Sequence, residues 1–186
     1  KGGTALMLIL GKSAHRLSID IDLICPPGTN IEDYLKSFAD FGFINLELVE
    51  RKQRDDADIP KSHSKFFYQI AYRNDTDAQS YILLDVLYEG IHYFRTQQIA
   101  INCPFIRLEG KPLMVTVPSA EDILGDKLTA FAPNTTGIPY YRNGRSCSME
   151  IAKQLYDVGR LFENVSDLQI TKEAFRKIAV VELSYR

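Results

Sequence analysis

Apolar residues recur along this chain with two different periods, and the change falls near residue 117. Leu6, Met7 and Leu10 follow Gly2, Gly3 and Thr4 at helical spacing and predict a short first helix. Residues 19–24, IDIDLI, alternate with period two and read as a strand. Asn30 has the chemistry of an N-cap, Ile31, Leu35 and Phe38 form the apolar stripe of a helix, and Gly42 ends it. Strands are expected over 44–49, with Ile44, Leu46 and Leu48 on one face, and over 66–72, with Phe66, Tyr68, Ile70 and Tyr72 on one face. The run YILLDVLY at 81–88 has strand length, and two weaker strands are placed near 98–103 and 112–117. Beyond Pro118 the period is helical. Ser119 caps a helix to about Phe131, residues 132–146 are rich in Pro, Gly, Asn and Thr and read as a loop, and helices follow over 148–162 and 171–183.

This order predicts an α/β half, residues 1–117, built on a mixed sheet with flanking helices, and a helical region, 118–186, completing a cleft. At 186 residues the chain is one domain of ordinary size, or one domain with a small appendage. With 45% apolar residues, 25% charged residues and a net charge of −2, it has the composition of a globular chain rather than a disordered one. No apolar run reaches the roughly 18 residues of a membrane span, and no charged-then-apolar leader opens the chain, which suggests neither a membrane nor a secreted protein. The opening residue is Lys1 rather than Met, so a natural start upstream is expected. Cys25, Cys103 and Cys147 are scattered and form no C-x-x-C pair, which argues against zinc and disulfides and for a reduced cytoplasm. The near-neutral charge does not mark a general nucleic-acid binder. Local basic clusters remain, at Arg51, Lys52 and Arg54, at Lys61 and Lys65, and at Arg142 and Arg145, each of them either a solvated loop or a set of phosphate contacts.

The candidate chemistry begins at Asp20 and Asp22. On a strand these positions project from one face, and two carboxylates that close need compensation, which a Mg²⁺ ion with hard oxygen ligands supplies. The alternative is an exposed edge strand with two solvated aspartates, against which Ile19, Ile21, Leu23 and Ile24 argue. Asp85 is a lone carboxylate among Leu83, Leu84, Val86 and Leu87 and needs a partner: an arginine, a backbone amide, or the same metal. Three carboxylates from two strands could hold two cations about 4 Å apart, the arrangement that clamps phosphoryl transfer. Gly2, Gly3 and Thr4 at a helix start can cradle a phosphate on free backbone N–H groups, although G-G-T alone is also a turn. Lys127 falls within the stripe of Ala120, Ile123, Leu124, Leu128 and Phe131, where it either snorkels or reaches a triphosphate. Lys153, Asp157 and Arg160 share a polar face opposite Ala152, Leu155, Gly159 and Phe162, a face expected to be solvated.

These residues together resemble a known group. A G-[GS] helix start, D-x-D on the following strand and a later third Asp are similar to the polymerase-β-like nucleotidyltransferase superfamily. KGGTAL with HRLSIDIDL, then LGDKLTAFAPNTTGIP and KQLYDVGRLF, more closely resemble the AbiEii/AbiGii-type toxin nucleotidyltransferases, over residues 1–162. The resemblance implies a nucleotidyltransferase fold. It implies that Gly2, Gly3 and Thr4 hold nucleotide phosphates and that Ser18 helps shape their site. It further implies that Asp20 and Asp22 bind Mg²⁺, that Lys127 contacts the triphosphate and that Asp157 completes the site. Asp85 matches the wider superfamily's third carboxylate, as metal ligand or as base for the attacking hydroxyl. The implied activity moves an NMP from an NTP to an acceptor hydroxyl, on RNA such as the tRNA acceptor end, in a cytoplasmic toxin neutralised by an antitoxin.

Two other classes compete. A non-catalytic NTP-sensing module would bind NTP without releasing pyrophosphate. A metal-dependent phosphohydrolase or nuclease would release phosphate or shorten RNA without adding a nucleotide. G-G-T ahead of D-x-D favours transfer, because a hydrolase of polymeric phosphate has less need of a triphosphate cradle.

Overall fold

The computed structural model of the chain describes residues 1–18, 20–49, 60–69, 79–105 and 107–185. In chain order the elements are α1 (Gly2–Leu10), β1 (Ile21–Cys25), α2 (Glu32–Leu35), β2 (Asn45–Leu48), β3 (Lys61–Gln69), β4 (Gln79–Tyr88), β5 (Thr96–Ala100), β6 (Met114–Pro118), α3 (Ala120–Leu128), β7 (Tyr141–Arg142), β8 (Arg145–Ser146), α4 (Ser148–Phe162) and α5 (Leu168–Ser184). They form two compact units, one of residues 1–17 with 92–186 and the other of residues 18–91.

In the first unit, α1 is apolar on nearly every side, and Ala5, Leu6, Met7, Leu8 and Leu10 are all buried. They share one core with Cys103, Val117, Ile123, Leu124 and Leu161. Each such leucine or isoleucine stabilises the fold by roughly 1.5–3 kcal/mol through burial alone. Ser119 caps α3 by accepting from the Asp122 N–H, and the buried Asp122 carboxylate accepts in turn from Phe94 N, Arg95 N and Ser119 Oγ. That carboxylate therefore fastens the start of α3 to the segment ahead of β5. α3 and α5 approach so closely at Gly125 that a Cβ there would lie 2.7 Å from both Ala174 Cβ and Phe175 N.

In the second unit a four-stranded mixed sheet has the order β1-β4-β3-β2, with β1 parallel to β4 and the other pairs antiparallel. One face packs Phe66, Leu84, Val86 and Leu46 against Leu35, Ile31, Phe38 and Phe43. The opposite face carries a cross-strand row, because Asp22 on β1 registers with Asp85 on β4, and Asp85 registers with His63 on β3.

Several expectations are corrected. β1 begins at Ile21, so Asp20 lies just ahead of the strand rather than on it, and among the described residues β1 stands at the edge of the sheet with Ile21 and Leu23 exposed. The helix expected from Asn30 to Gly42 is split into α2 and a 3₁₀ turn at Phe38–Phe41. Its stripe residues Ile31, Leu35 and Phe38 do meet the core, but Asn30 bonds to Asp33 through its side chain instead of capping. β3 starts at Lys61, five residues earlier than the apolar pattern suggests, because its first half reads K-S-H-S-K and looks like a loop. Lys61 and Lys65 are thus strand residues. Within 132–146 the expected loop contains the hairpin β7–β8. Ile19, Ile70, Tyr72 and the cluster Arg51, Lys52 and Arg54 lie outside the described residues. The division at 117 follows the change of period, whereas packing joins α1, β5 and β6 to α3 in one unit.

Candidate functional site

The second unit holds Asp20, Asp22 and Asp85. Residues in register share a face of the sheet, so Asp22, Asp85 and His63 stand in one row. His63 Nδ1 lies 2.7 Å from Asp85 Oδ1, which makes the imidazole the donor when the carboxylate is ionised. Asp85 is half-buried, with a side chain 27% exposed, rather than sunk in its apolar run, and His63 is one of its partners. Ser18, two residues before Asp20, donates from Oγ to the Asp20 carbonyl at 3.4 Å. Among the described residues, no three His, Cys, Asp or Glu side chains are gathered as a metal site. The donor set still suits Mg²⁺, which binds through one or two carboxylates plus substrate phosphates rather than an all-protein cage. Interior burial of D-x-D does not support the metal, since β1 is an edge. The alignment of Asp22 with Asp85 does.

The first unit holds Lys127, Arg16 and the start of α1. Gly2 and Gly3 are the first residues of α1 rather than a loop before it, and Thr4 completes the first turn. Gly2 has a φ of +73°, a conformation that favours glycine. No side chain caps this end, and a helix start of this kind is where backbone N–H groups can take an anion. Lys1 Nζ lies 3.6 Å from Asp126 on α3, which brings the start of α1 beside the residue preceding Lys127.

Lys127 neither snorkels nor lies exposed. Its side chain is 8% exposed and Nζ is 2.8 Å from Asp157 Oδ2 and 2.9 Å from Gln154 Oε1. Asp157 is fully buried, and Arg16 grips it with both arms, Nε to Oδ1 and Nη2 to Oδ2, each at 2.5 Å. Burial alone would raise the Asp157 carboxyl. The Arg16 hydrogen bonds, the Lys127 charge and hydrogen bond, and the Arg16 charge outweigh it and hold the group below the usual carboxylate range. Arg160, one turn on, donates from Nε to the Ser13 carbonyl at 3.1 Å, so α4 holds the 13–16 segment at two points.

The expected solvated face of α4 holds at Lys153, which is exposed, but fails at Asp157. Asp157 and Leu161 point inward, while Leu155 and Phe162 are 62% and 58% exposed. Two functional candidates escaped the sequence reading. Arg16 stands within HRLSIDIDL but has no pattern of its own, and its partner is 141 residues away. His63 alternates with Lys61 and Lys65 on a strand that looked like a loop.

A family model described as nucleotidyl transferase AbiEii toxin, Type IV TA system, matches residues 1–182. No curated protein matches the chain.

Proposed function

Because the chain belongs to the AbiEii nucleotidyl transferase toxin family of type IV toxin–antitoxin systems, we propose that it moves an NMP from an NTP to an acceptor hydroxyl on RNA, in a Mg²⁺-dependent reaction. Family membership implies an antitoxin partner. Among the described residues no helix is long and apolar enough to cross a membrane.

The observation that carries this reading is the charge arrangement around Asp157. Two cations, Lys127 and Arg16, meet one carboxylate in a nearly dry setting, which leaves surplus positive charge in the unit that also holds the first turn of α1. Such a set binds a polyanion, and a triphosphate is the polyanion the family's chemistry requires. Gly2, Gly3 and Thr4 hold phosphate oxygens through backbone N–H groups, and Lys127 neutralises charge as pyrophosphate departs. Asp157 and Gln154 keep Lys127 in place. Asp20 and Asp22, with Asp85, are the oxygen donors that would hold Mg²⁺, which supplies charge neutralisation at the phosphates. Asp85, hydrogen-bonded to His63, would accept the proton of the attacking hydroxyl.

The test is pyrophosphate release with Mg²⁺, NTP and RNA. The wild-type chain is expected to release pyrophosphate and Asp22→Ala to release none, while Lys127→Ala raises the NTP concentration needed. NTP binding without pyrophosphate would turn the reading to a sensing module, and phosphate release without nucleotide addition would turn it to a hydrolase.

A further inference from the structure

The hairpin between α3 and α4 has no part in the arrangement above, yet its surface is unlike that of an ordinary connection. β7 and β8 are joined through Asn143 and Gly144, whose φ values of +51° and +75° are those a tight two-residue turn requires. Its base is fixed: the Cys147 N–H donates to the Tyr140 carbonyl at 2.9 Å, Ile138 N to Ala130 O at 2.9 Å, and Cys147 is buried. From this rigid base Tyr140 and Tyr141 stand 64% and 71% exposed, and Arg142 and Arg145 are exposed as well. The two arginines are direct register partners across the turn, and like charges so placed destabilise a hairpin. No acidic residue occurs between Asp126 and Glu150 to relieve them, although the chain as a whole has a net charge of −2.

Two exposed aromatic rings and two unrelieved guanidinium groups on a preorganised hairpin match one ligand chemistry. Splayed bases stack on tyrosine rings, and phosphates pair with arginine. We infer that the hairpin at 140–147 binds a single-stranded nucleic-acid segment, with Arg142 and Arg145 on the backbone and Tyr140 and Tyr141 under the bases. That the segment is the acceptor strand rests on the transfer reading; that the hairpin binds it does not. The local basic character also explains how a chain of near-neutral charge can take a polyanionic acceptor.

Fluorescence anisotropy of a 5′-fluorescein single-stranded RNA of roughly a dozen nucleotides, without NTP, tests this directly, since such a strand spans a site of the usual size. R142A/R145A is expected to weaken binding and to reduce the slope of log K against log salt by about 1.4, or about 0.7 for each lost phosphate contact. Y140A/Y141A is expected to weaken binding by about 5- to 150-fold for each base unstacked. A duplex RNA of the same length is expected to bind more weakly than the single strand. K172A/R176A, which removes two exposed cations from α5, serves as the charge-matched control. Thermal unfolding of each variant reports whether the fold is kept. Equal affinity in wild type and both hairpin variants, or an equal loss in the α5 control, overturns the inference. So does self-association of the wild type that the hairpin variants lose, which would assign the surface to a second copy. Absence of pyrophosphate release would sink the transfer reading while leaving this binding result to stand by itself.

Discussion

Asp157 shows what a buried charge demands of the chain around it. It is fully buried, and its charge is tolerable only because Arg16 and Lys127 surround it. Asp157→Asn leaves both cations without a countercharge and is expected to destabilise the first unit by about 3–5 kcal/mol in urea unfolding. The acid response follows from the same contacts. A carboxyl held below its ordinary value of 3.8 contributes stability that is fully present above that value and lost as pH falls through the lowered native one. The wild type is therefore expected to lose stability below about pH 4, whereas Asp157→Asn shows a flatter profile there; parallel profiles would remove Asp157 from the account. The sequence alone placed Asp157 on a solvated face, because Lys153 and Arg160 sit beside it at helical spacing. The compensation comes from Arg16, 141 residues away, and no local pattern carries that information. Lys127 was legible because a cation inside an apolar stripe is itself a local anomaly.

Among the elements, α3, α4 and α5 make opposite demands on glycine. At Gly125 an added Cβ would meet Phe175 N at 2.7 Å and Thr171 O at 2.8 Å, both backbone atoms that cannot step aside. Gly125→Ala is expected to cost about 1–3 kcal/mol by overpacking. Gly159, inside α4, has open space where a Cβ would stand, so Gly159→Ala is expected to stabilise by about 0.5–1 kcal/mol. Calorimetric midpoints that moved together in the two variants would contradict the packing described. Elements with strong local signals were legible. α4 runs over 148–162 as the periodicity indicates, and Ser119 caps α3 as its type suggests. The first half of β3 was not, because alternating lysine, serine and histidine conceal a strand whose inward Ser62 and Ser64 are small and polar. β1 misled in the other direction: its apolar residues suggested an interior strand, yet it forms an edge.

For the molecule as a whole, the two units differ in how much apolar surface they bury. The first gathers α1, β6, α3 and α4 around one core, whereas the second rests on Leu35, Phe66, Leu84 and Val86 among the described residues. Native-state hydrogen exchange is expected to protect amides of α1 and α3 more than those of β1, and uniform protection would contradict this. The mixed sheet with flanking helices was legible from period and order. The division of the chain into these units was not, because it depends on α1 joining a core built mostly from residues beyond 91. Nucleotide transfer is tested by one incubation: Mg²⁺, total cellular RNA and each α-labelled NTP in turn, with Asp20→Ala alongside. Label is expected in RNA with the intact chain, for at least one NTP, and none with Asp20→Ala. Label appearing equally with both chains, or in RNA with neither, would contradict nucleotide transfer.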